Sequence, residues 1–72
     1  MEPIKFELKT EYIELIKLLK LLRLVESGGQ AKMVVEEGLV FRNEEKEPEL
    51  RKRAKIRKGE NISFQGHIIQ VR

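Results

Sequence analysis

The sequence has no cysteine and no tryptophan, and it has one tyrosine, one histidine and two prolines among its 72 residues. Without cysteine, neither a disulfide nor a thiolate metal site can stabilise the fold. Runs of apolar residues stop at about three, so no segment is long enough to cross a membrane. We therefore expect one small cytoplasmic domain spanning residues 1–72, without a cofactor.

Charge, in contrast, is abundant. Charged residues make up 38% of the chain, and 15 basic against 12 acidic residues give a net charge of +3. A typical domain has about 25% charged residues. The totals alone are compatible with a nucleic acid, an anionic membrane surface or neither, so the positions of the charges matter more.

The first half of the sequence contains one strand pattern and two helix patterns. Residues 4–8 alternate between apolar and polar, which predicts a strand. Thr10 is placed to cap a first helix over Tyr12–Leu22, where apolar residues recur at helical spacing. A second helix is predicted over Ser27–Glu37, with Gly38 at its C-terminal end.

The second half reads as strands and turns. LVFR at residues 39–42 predicts a strand, and Asn43 begins a turn. Residues 62–71, ISFQGHIIQV, predict a hairpin with Gly66-His67 as its two-residue loop and Gln65 opposite Ile68. This register places four apolar residues on one face. They are Ile62, Phe64, Ile69 and Val71.

Two glycines occupy the first turn of the predicted second helix, which also contains no acidic residue. Ser27 and Gln30 have the spacing of a capping box. Gly28 and Gly29 weaken the helix but leave bare backbone N–H groups at its positive end, where an anion can bind, and Gln30 and Lys32 add donors. A plain cap with a tight packing contact against the first helix explains the glycines equally well.

Residues 51–58, RKRAKIRK, form a basic strip with six cations and no acid. In an extended chain, Arg51, Arg53, Lys55 and Arg57 would share one face, spaced about 6–7 Å apart. Such a row can bind backbone phosphates. It can equally be a solvated face that pairs with the glutamates of the acidic segment, residues 44–49.

The order of these features is more specific than any one of them. A helix is followed by S-G-G-Q-A-K-x-x-x-x-E-G-x-V, a turn at Asn43, R-K-R-x-K, and G-x-x-I-x-F. This order resembles the small S4-like RNA-binding family, in particular its stand-alone bacterial members of the YbcJ type, which are described as ribosome-associated. The resemblance covers about residues 4–72.

The resemblance implies an α+β fold, in which two N-terminal helices pack on a small, strongly bent antiparallel sheet. It further implies that RNA lies across the second helix and the loop and strand that follow. Carried over by position, the RNA-binding residues are Ser27, Gly28, Gly29, Gln30, Lys32, Asn43, Arg51, Lys52, Arg53 and Lys55.

We therefore expect a protein that binds structured RNA, ribosomal RNA foremost, as a ribosome-associated monomer or weak homodimer with no membrane partner. Recognition would rely on phosphates, because the aromatic residues fall on expected core positions and leave little for base stacking. These aromatic residues are Phe6, Tyr12, Phe41 and Phe64.

The alternative is a protein-interaction module or homodimer that uses the apolar face of the first helix, where Leu21, Leu24 and Val25 would be uncovered. An enzyme is not expected. The single histidine lies in a predicted turn, and Ser27 has no nearby base and is better explained as a helix cap. The glutamates of the acidic segment lack the spacing of a calcium loop, so no metal site is expected.

Overall fold

The computed structural model describes residues 2–72, which form six strands and two helices. Four strands form one sheet in the order β1-β6-β5-β3, β2 pairs separately with β4, and α1 packs against α2. The predicted α+β fold with two helices and a small sheet is confirmed. In chain order the elements are β1 (Ile4–Phe6), β2 (Ile13–Glu14), α1 (Leu15–Leu21), α2 (Gly28–Glu36), β3 (Val40–Arg42), β4 (Lys55–Ile56), β5 (Asn61–Phe64) and β6 (His67–Val71).

The four-stranded sheet is mixed. Strands β3, β5 and β6 are antiparallel, as predicted, whereas β1 lies parallel to β6 with Ile4 opposite Ile69. Parallel pairing requires a long connection between the strands, and the chain through both helices provides it. The N-terminal strand therefore departs from the all-antiparallel arrangement that the resemblance implied.

The core is apolar and is shared by both helices and all the strands of the larger sheet except β1, which packs at its border. Helical spacing in α1 and α2 and alternation in the strands direct these side chains inward. Their burial is the main favourable contribution to folding. The buried residues are Leu8, Leu15, Leu18, Leu19, Val25, Ala31, Val34, Val35, Val40, Ala54, Ile56, Ile62, Phe64, Ile69 and Val71.

Helix α2 begins and ends where the sequence predicts. The Ser27 hydroxyl oxygen accepts a hydrogen bond from the Gln30 backbone N–H at 3.1 Å, and Gly38 follows the helix with a φ of 77°. The capping box differs in one bond. The Gln30 side-chain oxygen accepts from the Glu26 N–H at 2.6 Å instead of from Ser27.

Helix α1 begins at Leu15 and not at Tyr12, so the predicted start is wrong. Thr10 caps no helix, since its hydroxyl donates to the Tyr12 carbonyl at 2.8 Å, and the N-cap residue Glu14 makes no side-chain cap. The two residues before α1 form β2, which pairs with β4. Helical spacing cannot reveal this pairing, because its partner lies some forty residues further along the chain.

The C-terminal hairpin closes through Gln65-Gly66, so the predicted Gly66-His67 loop is wrong. Both loop residues have positive φ, 49° and 82°, as a type I′ turn requires. Phe64 consequently lies opposite His67 rather than Ile69. The difference in register is two residues, which keeps every side chain on its predicted face.

Of the three apolar residues that the protein-interaction alternative places on the surface, only one is largely exposed. Leu21 is 62% exposed, but Val25 is buried and Leu24 packs partly against the core. Within residues 2–72, no helix is both long and apolar enough to span a membrane.

Candidate nucleic-acid interface

The N-terminal end of α2 is open around its two glycines. A Cβ atom added to Gly28 would meet nothing within 4 Å, and one added to Gly29 would meet only the Ser27 hydroxyl oxygen at 3.8 Å. The glycines therefore make no tight packing contact with α1, and this part of the alternative explanation is wrong, whereas its helix cap is present. The first turn contains no acidic residue, so its backbone N–H groups and the positive end of the helix are available to an anion.

The other predicted residues of this helix end divide into two kinds. Ser27 and Gln30 are bonded to the protein backbone and set the geometry of the helix start. Lys32 lies exposed one turn further on and forms no ion pair with any of residues 2–72. The glycine backbone, Lys32 and the side-chain amide N–H groups of Gln30 therefore present donors without a partner among residues 2–72.

The basic strip is not one continuous strand. Within the strip only Lys55 and Ile56 form β4, and a turn at residues 52–53 precedes them. Burial of Ala54 and Ile56 confirms the predicted alternation in this part. The cations on the opposite face line an open concavity of about 430 Å³, together with one arginine from β3. The lining residues are Arg42, Arg51, Arg53, Ala54, Lys55 and Arg57.

The acidic segment forms an ion pair with only one cation of the strip. Glu49 accepts hydrogen bonds from two nitrogens of the Arg51 guanidinium, at 3.2 and 3.3 Å, and this raises the pKa of Arg51. In the described part of the chain, Arg53 and Lys55 have no carboxylate within ion-pair distance. The segment therefore masks the strip only in part.

Lys52 connects the strip to the far end of α2. Its Nζ lies 2.7 Å from Glu36 Oε1, and the hydrogen bond and the charge of Lys52 lower the pKa of Glu36. Because Glu36 is the last residue of α2, the strip lies beside the C-terminal end of the helix. The glycines at the other end are about 12 Å away along the axis. The predicted residues thus form two separate groups.

An ion cluster that the sequence did not reveal holds the strip in place. The three nitrogens of the Arg42 guanidinium bind Glu60 at 2.6 Å, Glu49 at 3.2 Å and the Lys55 carbonyl at 2.8 Å. The hydrogen bond to Glu60 contributes most to raising the pKa of Arg42. One side chain thus joins β3, the acidic segment and β4.

Asn43 is part of the support of this cluster. Its side-chain N–H donates to Glu60 at 3.1 Å, and its side-chain oxygen accepts from the Asn61 N–H at 2.9 Å. Burial alone would raise the pKa of Glu60, but hydrogen bonds from Arg42, Arg57 and Asn43 lower it. Both polar ends of the Asn43 side chain are therefore already bonded within the protein.

Tyr12 lies beside the strip and is 39% exposed, so its predicted core position is wrong. The Lys55 Nζ lies 4.9 Å from the centre of the tyrosine ring, and the Arg57 guanidinium carbon lies 6.0 Å from it. The ring would have been buried in a helix starting at Tyr12. Nothing local in the sequence indicates its actual neighbours.

Comparison with known proteins shows the family of the chain. A family model described as an S4 domain matches residues 6–72. The chain belongs to the S4 domain family, as the order of motifs predicted.

Its similarity extends to particular members. The chain is 46% identical over 63 residues to the YbcJ proteins of Escherichia coli (strain K12) and Shigella flexneri, an alignment that covers 88% of this chain and 87% of each relative. The solution structure of E. coli YbcJ matches with a TM-score of 0.71 at 43% identity, over 99% of this chain and 89% of that one. That structure is described as revealing a motif involved in RNA binding. The predicted resemblance to the YbcJ type is confirmed.

Proposed function

We propose that this protein binds structured RNA, ribosomal RNA foremost, by its phosphates. The observation that carries the proposal is the cationic concavity of the basic strip, in which Arg53 and Lys55 have no carboxylate partner among residues 2–72. The bare N-terminal end of α2, with Lys32 beside it, supplies a second phosphate contact. Asn43 supports the strip indirectly, through its hydrogen bond to Glu60 of the Arg42 ion cluster.

Affinity in this mechanism comes from neutralising phosphates and releasing their counterions. One guanidinium group can donate two parallel hydrogen bonds to the oxygens of a phosphate. The open concavity allows the backbone of a double helix to approach. Little sequence is read directly, because the major groove of double-stranded RNA is too narrow for side chains. The protein thus recognises the shape and backbone of the RNA.

The similarity to E. coli YbcJ supports this proposal, since the structure of that protein is described in terms of RNA binding. Membership of the S4 domain family suggests a binding role rather than a catalytic one. With ribosomal RNA as partner, the protein would associate with ribosomes in the cytoplasm as a monomer or weak homodimer.

Binding to ribosomal RNA, a plain RNA duplex and a single strand, each measured across a salt series, tests the proposal. If five or six phosphates are engaged, the logarithm of affinity should fall against the logarithm of salt concentration with a slope of roughly −4 to −5. Binding that does not depend on salt contradicts the phosphate mechanism. Absence of binding at low salt contradicts the function itself.

A protein-interaction role is favoured by one observation. Leu21, the most exposed large apolar residue of α1, lies with Lys17 and Lys20 beside an open concavity of about 480 Å³. A homodimer through this face would resist salt and would dissociate on a Leu21→Ser change. Light scattering of the wild-type protein and of this variant distinguishes it from a monomeric RNA-binding protein.

A further inference from the structure

Tyr12 is held on the surface by defined contacts. It precedes β2, whose residues pair with β4, and its carbonyl accepts a hydrogen bond from the Thr10 hydroxyl at 2.8 Å. The tyrosine hydroxyl makes no hydrogen bond within residues 2–72. An aromatic ring with an unused polar tip is thus fixed beside the strip without being part of the core.

Stability does not explain this position. The ring lies next to the Lys55 ammonium and the Arg57 guanidinium, but an exposed cation–π contact contributes little to folding. The contact instead determines where the ring lies. It places an exposed ring directly beside two cations that line the phosphate-binding concavity.

A second open concavity lies on the tyrosine side of this contact. Its volume is about 550 Å³, which is large enough for a nucleobase. Two of its lining residues, Glu11 and Glu14, carry carboxylates that repel phosphate but accept hydrogen bonds from base amino groups. The full lining is Thr10, Glu11, Tyr12, Ile13, Glu14 and Lys17.

We propose that an unpaired nucleobase stacks on Tyr12 while the phosphates next to it bind Lys55, Arg57 and Arg53. The cationic concavity then binds the RNA backbone, and the adjoining concavity beside Tyr12 binds the base. Base–aromatic stacking tolerates any base, since every base has a π-face. The inference rests on the proposed RNA binding and deepens it, because it makes RNA with an unpaired nucleotide beside a helix the preferred ligand.

The protein contains its own probe for this contact. Tyr12 is the only tyrosine and there is no tryptophan, so the intrinsic fluorescence excited at tyrosine wavelengths reports on this ring alone. A stacked base quenches it. The titrants are a blunt, fully paired RNA duplex and the same duplex with one bulged adenosine, and free N-acetyltyrosinamide corrects for absorption by the RNA.

We expect the bulged duplex to quench Tyr12 and to bind about 5- to 20-fold more tightly than the paired duplex, as measured separately by anisotropy of labelled RNA. Tyr12→Leu should lose this preference, so that it binds the two duplexes with equal affinity. Tyr12→Phe keeps the ring and should retain the preference. Circular dichroism checks that both variants fold.

The remaining outcomes overturn the inference in distinguishable ways. Equal binding of both duplexes without quenching removes the base contact and leaves the proposed phosphate binding intact. No binding of either duplex at low salt removes the proposed function together with the inference. Should Tyr12→Leu fail to fold, quenching in the wild-type protein and the behaviour of Tyr12→Phe still decide the question.

Discussion

The two parts of the candidate interface carry their positive potential in different ways. At the N-terminal end of α2 it comes from backbone N–H groups, and no carboxylate lies in the first turn. On the basic strip it comes from side chains, and two of the four predicted cations, Arg51 and Lys52, already have a carboxylate partner. Charge counted along a sequence therefore exceeds the charge available to a ligand.

The parts also differ in what holds them. The helix end is set locally, by the Ser27 cap three residues from its donor. The strip depends on the Arg42 ion cluster, formed by Arg42, Glu49 and Glu60, which are up to 18 residues apart. A substitution in the Arg42 ion cluster should therefore change the structure of the strip and leave the helix end unchanged.

The largest expected effect comes from Arg42→Met, which leaves Glu49 and Glu60 short of their shared partner. Both carboxylates are mostly buried, so the free energy of unfolding should fall by about 2–3 kcal/mol. Urea denaturation followed by circular dichroism measures this. Arg42→Lys keeps the charge without the three-way fork and should lose an intermediate amount. Wild-type stability in both variants would show that the cluster does not hold the strip.

Acid should break the same cluster without mutation. The pKa values of Glu49 and Glu60 are lowered in the folded protein from the ordinary 4.5. Their stabilising contribution is therefore complete above pH 4.5 and is lost as the pH falls through the lowered values. The free energy of unfolding of the wild-type protein should drop as the pH falls below 4.5, and that of Arg42→Met should drop less. Parallel curves for the two proteins would contradict the assignment.

Loss of the strip's side chains should weaken RNA binding without unfolding the protein. The triple change Arg51→Ser, Arg53→Ser and Lys55→Ser removes exposed cations, and we expect about 30- to 100-fold lower affinity at low salt. The salt slope should become shallower by roughly 2–3. Anisotropy and circular dichroism measure the two properties.

A matched variant controls for net charge in that experiment. Lys5, Lys9 and Lys20 are exposed and lie outside the cationic concavity, so changing all three to Ser removes the same charge elsewhere. It should weaken binding only severalfold. Equal losses in the two triple variants would mean that overall charge, and not the strip, determines affinity.

Methyl groups added at the N-terminal end of α2 should raise the stability of the protein and lower its affinity for RNA. Space is available at both glycines, so Gly28→Ala with Gly29→Ala should stabilise the protein by about 0.5–1 kcal/mol through helix propensity. The same methyl groups hold a phosphate away from the backbone, and RNA affinity should fall about 3- to 5-fold. Denaturation and anisotropy are the measurements. A stabilised variant with unchanged affinity would show that RNA does not contact this end.

The smallest effect is expected when the Lys52 pair is broken. Glu36→Gln frees the Lys52 ammonium for phosphate and removes a negative charge, so RNA affinity should rise about twofold at low salt. Glu37→Gln removes the same charge from an exposed neighbour that forms no ion pair among the described residues. If both variants gain equally, the pair itself does not limit binding.

Features fixed by neighbouring residues could be predicted from the sequence. The Ser27 cap, the end of α2 at Gly38 and the inward faces of the hairpin all follow from patterns spanning a few residues. The register of the hairpin could not be predicted, because a shift of two residues leaves the same side chains inside. The preferred turn conformation then decides between the Gln65-Gly66 loop and the Gly66-His67 loop.

Features fixed by distant residues were missed. The β2–β4 pairing shortens α1 and brings Tyr12 to the surface, yet residues 12–14 fit a helix pattern as well as a strand. Arg42 looked like an ordinary strand residue because its partner Glu60 lies 18 positions away. The motif order identified the family, whereas the ion-pair partners of the cations depend on residues too distant in the sequence to be predicted.

The position of β6 has a consequence for synthesis. It is the last strand in the chain, yet it lies inside the sheet between β1 and β5. On the ribosome, β1 emerges before β6 and cannot pair with it until residues 67–71 have been translated and have cleared the exit tunnel. The pairing of β1 therefore waits for β6, and such long-range pairing folds slowly. Until then, the exposed cations of the strip are part of an unfinished protein held beside ribosomal RNA.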